Sequence, residues 1–322
     1  MFFNTVAGCR HTDQIINAPS RIRVSTGNLA AWSGSHGKAS YMHYAAVVLY
    51  FRLGTQIYDT LDALMAQSSR PDRIVLVDNA SGDGVLDSAE DRYDRCTLLQ
   101  MPENMGYAAG MNAGAALLAG KFDAVLFMTH EVLLGPDCAS RLLHAMESDE
   151  AVGMVGPALR LKESGALWSL GGIITRRGNV RHNTNPSLVH AVRWLDGACL
   201  LIRSKALHAC GGFDEDYFLY WEDVDISLRI AERSAVCCVP DATAYQDTAM
   251  APLYLRLRNQ VLCWRKHSDP LAVLMAVATA SWKAIFFDVR TGSREHLRAR
   301  SLAVLHGFSG QMAPEPIRML RD

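Results

Sequence analysis

Short apolar runs alternate with helically spaced apolar positions along the first half of the chain. Four runs rich in Val, Leu and Ile have the length of buried strands, and each ends at a polar or glycine-containing segment. Between them, apolar residues recur at helical spacing, as Ile57, Leu61, Leu64 and Met65 do. The predicted strands are residues 45–50, 73–77, 96–99 and 124–128. This alternation predicts an α/β protein with a parallel sheet covered by helices on both faces.

The pattern loosens after residue 150. Runs at 153–158 and 198–202 predict strands, and a long polar, glycine-containing segment separates them. A helix is predicted over 224–231 and a strand over 235–239. From Pro252 onward the pattern is helical and basic-amphipathic. We expect three parts: a flexible tail at 1–40, an α/β domain at 41–250 and a C-terminal helical region at 251–322.

The composition predicts a globular protein and argues against a nucleic-acid-binding or zinc-binding class. The chain has 322 residues, of which 49% are hydrophobic, enough for a substantial core. Its net charge of −1 argues against a general nucleic-acid partner. The eight cysteines form no C-x-x-C pair and no Cys/His spacing typical of zinc sites. With no leader pattern at the N-terminus, this cysteine usage predicts a cytoplasmic protein.

The longest apolar run, residues 271–287, is interrupted by Ser281 and Lys283. It is short and polar for a membrane-spanning helix, so we expect it to pack on the α/β domain, with the arginines that follow forming a solvated face. The alternative is that the run and these arginines contact an anionic membrane surface. The protein would then lie peripherally on the inner face of the membrane.

The end of the second predicted strand is the first candidate functional segment. The run RIVLV stops at Asp78 and Asn79 and breaks into a small, glycine-rich turn. In open parallel sheets, ligands bind in the crevice beyond the carboxyl ends of the strands, and a carboxylate there can accept hydrogen bonds from a base or a ribose. The same residues can also form an Asx-turn that only ends the strand.

Two further segments suit a phosphorylated ligand. Residues 103–114 read ENMGYAAGMNAG; glycines at a helix start let the backbone approach a ligand, and helix N-terminal amides suit a phosphate. Close helix–sheet packing through Gly and Ala is the alternative explanation of these glycines.

Thr129, His130 and Glu131 follow the fourth predicted strand, where a carboxylate can hold a divalent ion that bridges a diphosphate. One acid alone is a weak metal signal.

The fourth segment, residues 217–225, reads YFLYWEDVD, an aromatic run that ends in three acids at a predicted helix start. Acids in a first turn complement the helix dipole, and Asp225 can pair with Arg229 one turn later, which would explain them structurally. Aromatic rings also suit stacking on sugar faces, and a carboxylate beside them can deprotonate a hydroxyl.

In this order, the four segments resemble the family 2 glycosyltransferases with the GT-A fold, in particular the rhamnosyltransferase-like branch. The shared pattern is V-D-N-x-S, E-N-x-G-x-A-x-G-x-N, a strand-end acid, G-G-F-D-E and E-D-x-D, within residues 44–265. The resemblance implies a Rossmann-like, mostly parallel sheet flanked by helices, with a C-terminal helical extension. It also implies an inverting enzyme that moves a sugar from a nucleoside-diphosphate-sugar to an acceptor hydroxyl.

The resemblance implies roles for individual residues. Asp223, in the pair with Glu222, would be the base that activates the acceptor hydroxyl. Glu131 would hold a divalent cation, Mg²⁺ or Mn²⁺, at the metal-binding position. Asp78 and Asn79 would contact the nucleobase and ribose. The other residues implied in donor binding are Tyr50, Asn104, Gly106, Asn112, Thr129, His130, Trp194, Asp196 and Arg258.

The chain departs from the family pattern at its metal site. Thr129 replaces the first acid or amide of the D-x-D motif, and Gln246 stands where the family often has a histidine. We therefore expect a metal dependence that is real but modest. Arg258 and Asn259 match a late family signature, on a helix expected behind the site.

The resemblance leaves donor and acceptor open. Uridine and thymidine diphosphate sugars both fit as donors, and the acceptor would be a glycan, a lipid-linked sugar or a small molecule. The alternative is a catalytically weakened sugar-nucleotide or glycan-binding relative, which the altered metal motif favours and the intact Glu222–Asp223 pair opposes. A nucleotidyltransferase or NAD-dependent reductase fits less well, since no glycine-rich, basic loop follows the first strand.

Overall fold

A curled, mostly parallel sheet with helices on both faces forms the core of the protein. The computed structural model describes residues 42–247 and 251–320, so the tail predicted at 1–40 lies outside the described residues. The strands are β1 (Tyr44–Tyr50), β2 (Arg73–Asp78), β3 (Cys96–Gln100), β4 (Ala124–Thr129), β5 (Leu133–Leu134), β6 (Val152–Leu161), β7 (Leu167–Ser169), β8 (Gly172–Ile174), β9 (Val180–His182), β10 (Cys199–Arg203) and β11 (Ala235–Gln246). The sheet order is β3-β2-β1-β4-β10-β6-β11-β5, with β7 beside β6.

Helices fill the connections and the C-terminal part. They are α1 (Ile57–Met65), α2 (Ala89–Arg92), α3 (Gly106–Ala116), α4 (Cys138–Glu147), α5 (Ser204–Cys210), α6 (Glu222–Ala231), α7 (Leu253–Lys266), α8 (Pro270–Lys283), α9 (Arg294–Ser309) and α10 (Glu315–Arg318). A π-helical segment, Ala284–Val289, continues α8. The predicted elements in the first half of the chain are confirmed, with boundaries shifted by a few residues.

Strands β1 to β4 are parallel, and their carboxyl ends meet at one edge of the sheet. All seven residues of β1 are buried, as expected for a strand covered on both faces. In the register of the sheet, Tyr50 pairs with Asp78 on β2, and Leu49 pairs with Thr129 on β4. The polar residues that follow β1, β2 and β4 are therefore neighbours.

Glycines let α3 lie unusually close to β1. A Cβ on Gly110 would come within 2.5 Å of Leu49 Cδ1, and one on Gly114 within 2.5 Å of Val47 Cγ1. Close helix–sheet packing therefore explains these two glycines of the ENMGYAAGMNAG segment. Gly106, at the start of α3, meets different atoms, since a Cβ there would lie 2.1 Å from the carbonyl oxygen of Phe218.

The second half of the sheet is mixed. The strand expected at 198–202 forms as β10, but it runs antiparallel to both β4 and β6. The strand expected at 235–239 extends to Gln246 as β11, with register shifts along β6. The polar segment between β6 and β10 forms β7 and the β8–β9 hairpin, which sequence periodicity did not indicate because these strands have only three residues each.

The C-terminal helices have a core of their own. It is built mainly by α7, α8 and α9, and the buried residues are Leu253, Tyr254, Leu255, Leu257, Val261, Ala276, Ala280, Ala299, Ala303 and Ala313. Partly buried Phe218, Leu219 and Tyr220 pack against this core. The helices therefore support the aromatic segment that precedes α6.

The expectation that residues 271–287 pack as core is wrong for the outer face of α8. Its alanines at 272, 276 and 280 are buried, whereas Leu274 is 62% exposed and Ile285 is 61% exposed. By length and composition, Pro270–Val289 is a helix that could cross a membrane, and 17% of its most apolar stretch is buried.

We expect Gly106→Ala to unfold at much lower urea concentration than Gly120→Ala. Both glycines have positive φ, +84° and +72°, so each substitution adds a left-handed alanine. Only Gly106 faces backbone at 2.1 Å, whereas nothing lies within 4 Å of a Cβ on Gly120. The expected loss of unfolding free energy is about 3 kcal/mol for Gly106→Ala and about 1 kcal/mol for the control. Equal losses would contradict the close approach of α3 to Phe218.

Candidate active site

A cavity of about 800 Å³ opens at the carboxyl edge of the parallel strands and extends to the start of α6 and the C-terminal helices. Ten of the fourteen predicted site residues line it: Asn79, Asn104, Gly106, Thr129, His130, Glu131, Trp194, Asp196, Glu222 and Asp223. The other four, Tyr50, Asp78, Asn112 and Arg258, are not among its lining residues. The cavity has the size expected for a small-molecule site.

Asn79 and Asn104 shape one wall through hydrogen bonds to each other. The side-chain Nδ2 of Asn79 donates to Asn104 Oδ1 at 3.0 Å and to the Gly106 carbonyl at 3.1 Å. Asn79 Oδ1 accepts from the backbone amide of Met105. Asn104 Oδ1 also accepts from the Gly106 amide at 3.0 Å. These side chains therefore hold the loop before α3 in a fixed shape beside the cavity.

Tyr50 and Asp78 act just behind this wall. Tyr50 is buried, and its hydroxyl donates to Asp83 at 2.5 Å and accepts from the Gly54 amide at 3.0 Å. Burial and the bond to Asp83 raise its pKa to about 12. Asp78 Oδ1 accepts from the Ser81 amide at 2.8 Å, three residues on, so its side chain closes the turn through a bond one residue longer than that of an Asx-turn. In this structure both residues order the turn after β2.

Asn112 has a structural role on the opposite side of α3. Its side chain accepts from the Phe213 amide at 2.9 Å and donates to the Phe213 carbonyl at 2.8 Å and to Glu215 at 2.9 Å. It therefore fixes the G-G-F-D-E segment against α3, which accounts for the two motifs occurring together.

The Thr129-His130-Glu131 segment places a neutral imidazole beside a buried carboxyl. The Phe51 amide donates to His130 Nδ1 at 2.9 Å, and burial lowers the pKa of His130 to about 4, with Lys162 adding to the effect. Thr129 Oγ1 donates to Glu131 at 2.9 Å. Burial also raises the pKa of Glu131. His130 Nε2 lies 3.4 Å from Glu131 Oε2, but the imidazole is neutral and adds no positive charge there, so the carboxylate suits a hard divalent ion.

Glu131 therefore fits the metal-binding role as a single oxygen ligand. Asp196 and Asp247 line the same cavity and offer further carboxylates. Gln246 donates towards Asp196 at 3.5 Å, so its amide occupies the place where a histidine was expected from the family pattern.

A second group of potential metal ligands lies away from this position. Ligand atoms of Asp225, Cys263 and His267 lie within 4.8 Å of one another. The Asp225 carboxylate is already neutralised by Arg229 at 2.6 Å, the pair anticipated from the i,i+4 spacing, and accepts from His267 at 2.9 Å. These contacts of Asp225 link α6 to α7. Because the Asp225 carboxylate is buried and paired with Arg229, we interpret the three residues as part of a structural ion pair.

Glu222 and Asp223 stand at the start of α6, on the cavity wall. Asp223 accepts from the Gly197 amide at 3.1 Å and from the Val224 amide at 2.7 Å. Burial, followed by the charge of Asp196, raises the pKa of Asp223 to about 7. Glu222 is 4% exposed, its Oε2 has no hydrogen-bond partner among the described residues, and burial raises its pKa well above the usual range. One carboxyl is thus poised to accept a proton and the other to remain protonated.

The backbone before this pair is strained. Tyr220 and Trp221 have φ of 69° and 76°, a left-handed conformation that bulky residues rarely adopt. The Asn259 side chain donates to the carbonyls of Leu219 and Tyr220, at 2.9 and 2.8 Å. Asn259 on α7 thus holds the turn that presents the acid pair.

Arg258 supports the same turn from behind. It is 1% exposed, and its guanidinium donates to Asn259 Oδ1 at 2.8 Å and to the Asp216 and Gly310 carbonyls at 2.5 and 2.6 Å. The late Arg-Asn signature therefore corresponds to a buried clamp between the turn, α7 and the segment after α9.

The polar segment before β10 adds residues that were not anticipated. Trp168 and His182 line the cavity with Trp194; the His182 ring centroid lies 4.6 Å from Trp168 and 5.0 Å from Trp194. Within residues 42–247 and 251–320, the buried Trp194 indole nitrogen has no hydrogen-bond partner. Arg256 and Arg318 also line the cavity, from the C-terminal helices. No spacing in the sequence linked these residues, because tertiary packing alone brings them together.

Comparison with known proteins decides the family. The model of the glycosyltransferase-like family 2 matches residues 42–260, well over half of the chain. The chain belongs to glycosyltransferase family 2. A curated N-acetylglucosaminyl-diphospho-decaprenol L-rhamnosyltransferase from Mycobacterium tuberculosis is 29% identical over an alignment of 218 residues, and the match covers 58% of this glycosyltransferase and 69% of the relative. The family resemblance and the enzyme class inferred from the motifs are confirmed.

Solved structures confirm the GT-A fold. The structure of GalNAc-T7 with UDP, GalNAc and Mn²⁺ has a TM-score of 0.59 at 13% identity, and the match covers 83% of this glycosyltransferase but only 56% of that chain. A mannosyltransferase from Pyrobaculum calidifontis, in complex with GDP-Man and Mn²⁺, has a TM-score of 0.53 at 17% identity, with 86% and 92% covered. At these identities the likeness concerns the fold.

The structure predicts that Arg258→Ala destabilises the protein. Loss of a buried guanidinium would leave backbone carbonyls of the turn and of the C-terminal segment unpaired, at a cost of about 3 kcal/mol in unfolding free energy. The control is Arg265→Ala on the same helix, where the side chain is exposed. Urea unfolding of the three proteins measures the difference. A fully stable Arg258→Ala protein would show that the clamp is not needed for folding.

Proposed function

We propose that the enzyme is an inverting glycosyltransferase that uses a nucleoside-diphosphate-sugar donor, with Asp223 as the catalytic base. The observation that carries the proposal is the position of Asp223 on the cavity wall, with a pKa raised to about 7 by burial and by Asp196. A base with a pKa near neutrality accepts a proton efficiently and is still ionised in a large fraction of molecules.

In the proposed reaction, the acceptor hydroxyl gives its proton to Asp223 while its oxygen attacks the anomeric carbon of the donor. The bond between that carbon and the diphosphate oxygen breaks on the opposite face, so the anomeric configuration inverts. The nucleoside diphosphate leaves with the bonding electron pair. Protonated Glu222, with its unpartnered oxygen, is suited to hydrogen-bond a sugar hydroxyl beside the reacting carbon.

The donor nucleotide is assigned to the carboxyl edge of β1 and β2. The Asn79–Asn104 wall lies at this end of the cavity, with the turn that Asp78 holds behind it, and ligands of open α/β sheets bind at such edges. Thr129 and His130 line the adjoining part, and Trp194 and Asp196 lie towards the acid pair. Uridine and thymidine diphosphate sugars are the donors we propose, and Tyr50, Asn112 and Arg258 would act by positioning this wall and the turn.

Glu131 would hold the divalent cation, with the donor diphosphate supplying most other ligands. Mn²⁺ in two solved structures of similar fold supports this assignment. When bound, the ion would supply positive charge to the departing diphosphate. The neutral state of His130 leaves no competing positive charge on its ring at neutral pH.

A lipid-linked sugar is the acceptor class we propose. The support is the mycobacterial relative, whose name describes transfer of L-rhamnose to N-acetylglucosaminyl-diphospho-decaprenol. The partly exposed rings of Trp168 and His182 line the cavity beside buried Trp194, and rings of this kind would suit stacking on the acceptor sugar. The enzyme would work in the cytoplasm, at the inner face of the membrane.

We expect kcat/KM to rise with pH and to level off above about pH 7, because only ionised Asp223 accepts the proton. In Asp196→Asn the loss of a nearby negative charge lowers the pKa of Asp223. The rising part of the pH profile of kcat/KM therefore moves to lower pH, even though turnover also falls. Asp223→Asn should lose a factor on the order of 10²–10⁴ in turnover and still bind nucleotide. If the pH profile of kcat/KM is the same in Asp196→Asn as in the wild type, Asp223 is not the base that titrates.

Chelation should lower turnover without abolishing it, and added Mg²⁺ or Mn²⁺ should restore it. The reason is that Glu131 is the single acid of this segment and the donor diphosphate supplies further ligands. In Glu131→Gln, half-maximal activation should need more metal, whereas Asp223→Asn should bind nucleotide with unchanged metal dependence. Wild-type activity that is indifferent to exhaustive chelation would exclude the cation from the reaction.

A further inference from the structure

The side chains of α8 are distributed in the reverse of the usual order for a helix on a protein surface. The small residues Ala272, Ala276 and Ala280 recur every four positions and face inward, where they are at most 5% exposed. The large apolar residues face outward. A helix that covers a core in water normally buries its largest apolar side chains, because they remove the most apolar area from solvent.

The outward residues form a continuous helical stripe. Leu271 and Leu274 lie one turn apart, and exposed Ala278 bridges the eight positions from Leu274 to Trp282. From Trp282 onward the exposed side chains include neighbours along the π-helical segment, which widen the face, and the stripe extends over about 30 Å. The large, exposed apolar residues are Leu271 at 54%, Leu274 at 62%, Trp282 at 52%, Ile285 at 61%, Phe286 at 48%, Phe287 at 53% and Val289 at 59%. A stripe of this size on a protein surface marks an interaction site.

Aromatic and basic residues gather at the C-terminal end of the stripe. Trp282 stacks on Phe286 at 5.1 Å and meets Phe287 edge-on at 5.5 Å. Exposed Arg290, Arg294 and Arg298 follow directly. Between residues 270 and 310 the chain has five basic and two acidic residues, although its overall net charge is −1. One of the two acids, Asp288, is buried against Arg300 at 2.7 Å.

We propose that this stripe, residues 271–289 with Arg290, Arg294 and Arg298, lies in the headgroup region of an anionic lipid bilayer. The large apolar side chains would insert between the acyl chains, and the arginines would contact anionic headgroups. Tryptophan at such a boundary keeps its ring in an apolar layer and its N–H in a polar one. The inference goes beyond sugar transfer, since it assigns a binding surface that needs neither donor nor acceptor.

Two observations favour a bilayer surface over the other partners of an apolar stripe. The alanine face of α8 packs on the core of the C-terminal helices, and the Asp288–Arg300 pair ties its end to α9, so crossing the membrane would require breaking both. In a two-fold dimer with parallel stripes the arginine clusters would approach each other, and with antiparallel stripes each cluster would lie beside the apolar N-terminal end of its copy, so neither arrangement supplies opposite charge. An anionic bilayer matches the same arginines with opposite charge.

The test is sedimentation of the full-length protein with phosphatidylcholine vesicles, with and without phosphatidylglycerol. Wild type should bind the anionic vesicles, and binding should weaken as salt rises. Leu274→Glu/Phe286→Glu should bind at least about tenfold more weakly, since each large apolar side chain loses its burial. The control is Leu117→Glu, the same type of change as Leu274→Glu at a 45% exposed leucine of the α/β part, which should bind as wild type does.

The arginines are tested by Arg290→Gln/Arg294→Gln/Arg298→Gln. Binding to anionic vesicles should fall on the order of 100-fold at low salt, while binding to phosphatidylcholine alone should not change. Circular dichroism and urea unfolding identify any variant that has lost its fold, and a folded variant that binds as wild type does overturns the proposal.

Tryptophan fluorescence locates the stripe. Trp282 is the exposed tryptophan of the part of the chain that the structure describes. Phosphatidylcholine with brominated acyl chains, mixed with phosphatidylglycerol, should quench its emission, and Trp282→Phe should remove the quenching.

Protection of the loop after α8 from added protease would instead show a helix that crosses the bilayer. Wild-type dimers that Leu274→Glu/Phe286→Glu dissociates, with no vesicle binding, would assign the stripe to a second copy; either result overturns the proposal.

Discussion

Two hydrogen bonds from the Asn259 side chain hold the backbone turn on which the active site depends. They satisfy the carbonyls of Leu219 and Tyr220, just where the chain adopts two successive left-handed residues. Without that turn, α6 would not begin at the cavity wall, and the acid pair would point elsewhere. Strain of this kind persists only where the surrounding structure over-determines it. Here the surrounding structure is α7, which Arg258 anchors in turn to the C-terminal segment.

The acid cluster shows how a site can work against stability. Burial is the main cause that raises the pKa of both Asp223 and Glu222, so the folded protein binds more protons than the unfolded chain over the range between the usual and the raised values. These two groups therefore make the fold less stable as pH rises through that range. The same desolvation gives Asp223 the basicity that proton abstraction needs. Hydrogen bonds from the Gly197 and Val224 amides limit the penalty.

Much of the fold, and many of the residues that line the cavity, could be predicted from local patterns in the sequence. The strands β1 to β4 were predictable because they are continuous apolar runs, and the motif residues at their ends meet because parallel strands share an edge. The direction of β10 was not predictable, since its apolar run is the same in either orientation. Trp168 and His182 belong to three-residue strands that leave no periodic signal. Arg258 and Asn112 were recognised by motif, but only packing reveals that they act through backbone carbonyls and amides.

The apolar run at 271–287 shows a different limit. Its composition is the same whether alanines or leucines face the core, and only the three-dimensional arrangement shows that the alanines do. An enzyme that rests on a bilayer through such a face would search for its acceptor by lateral diffusion in two dimensions. Its rate would then follow the mole fraction of acceptor in the lipid rather than the bulk concentration. Diluting the bilayer with inert lipid at constant total acceptor would slow such an enzyme, although nothing about its active site had changed.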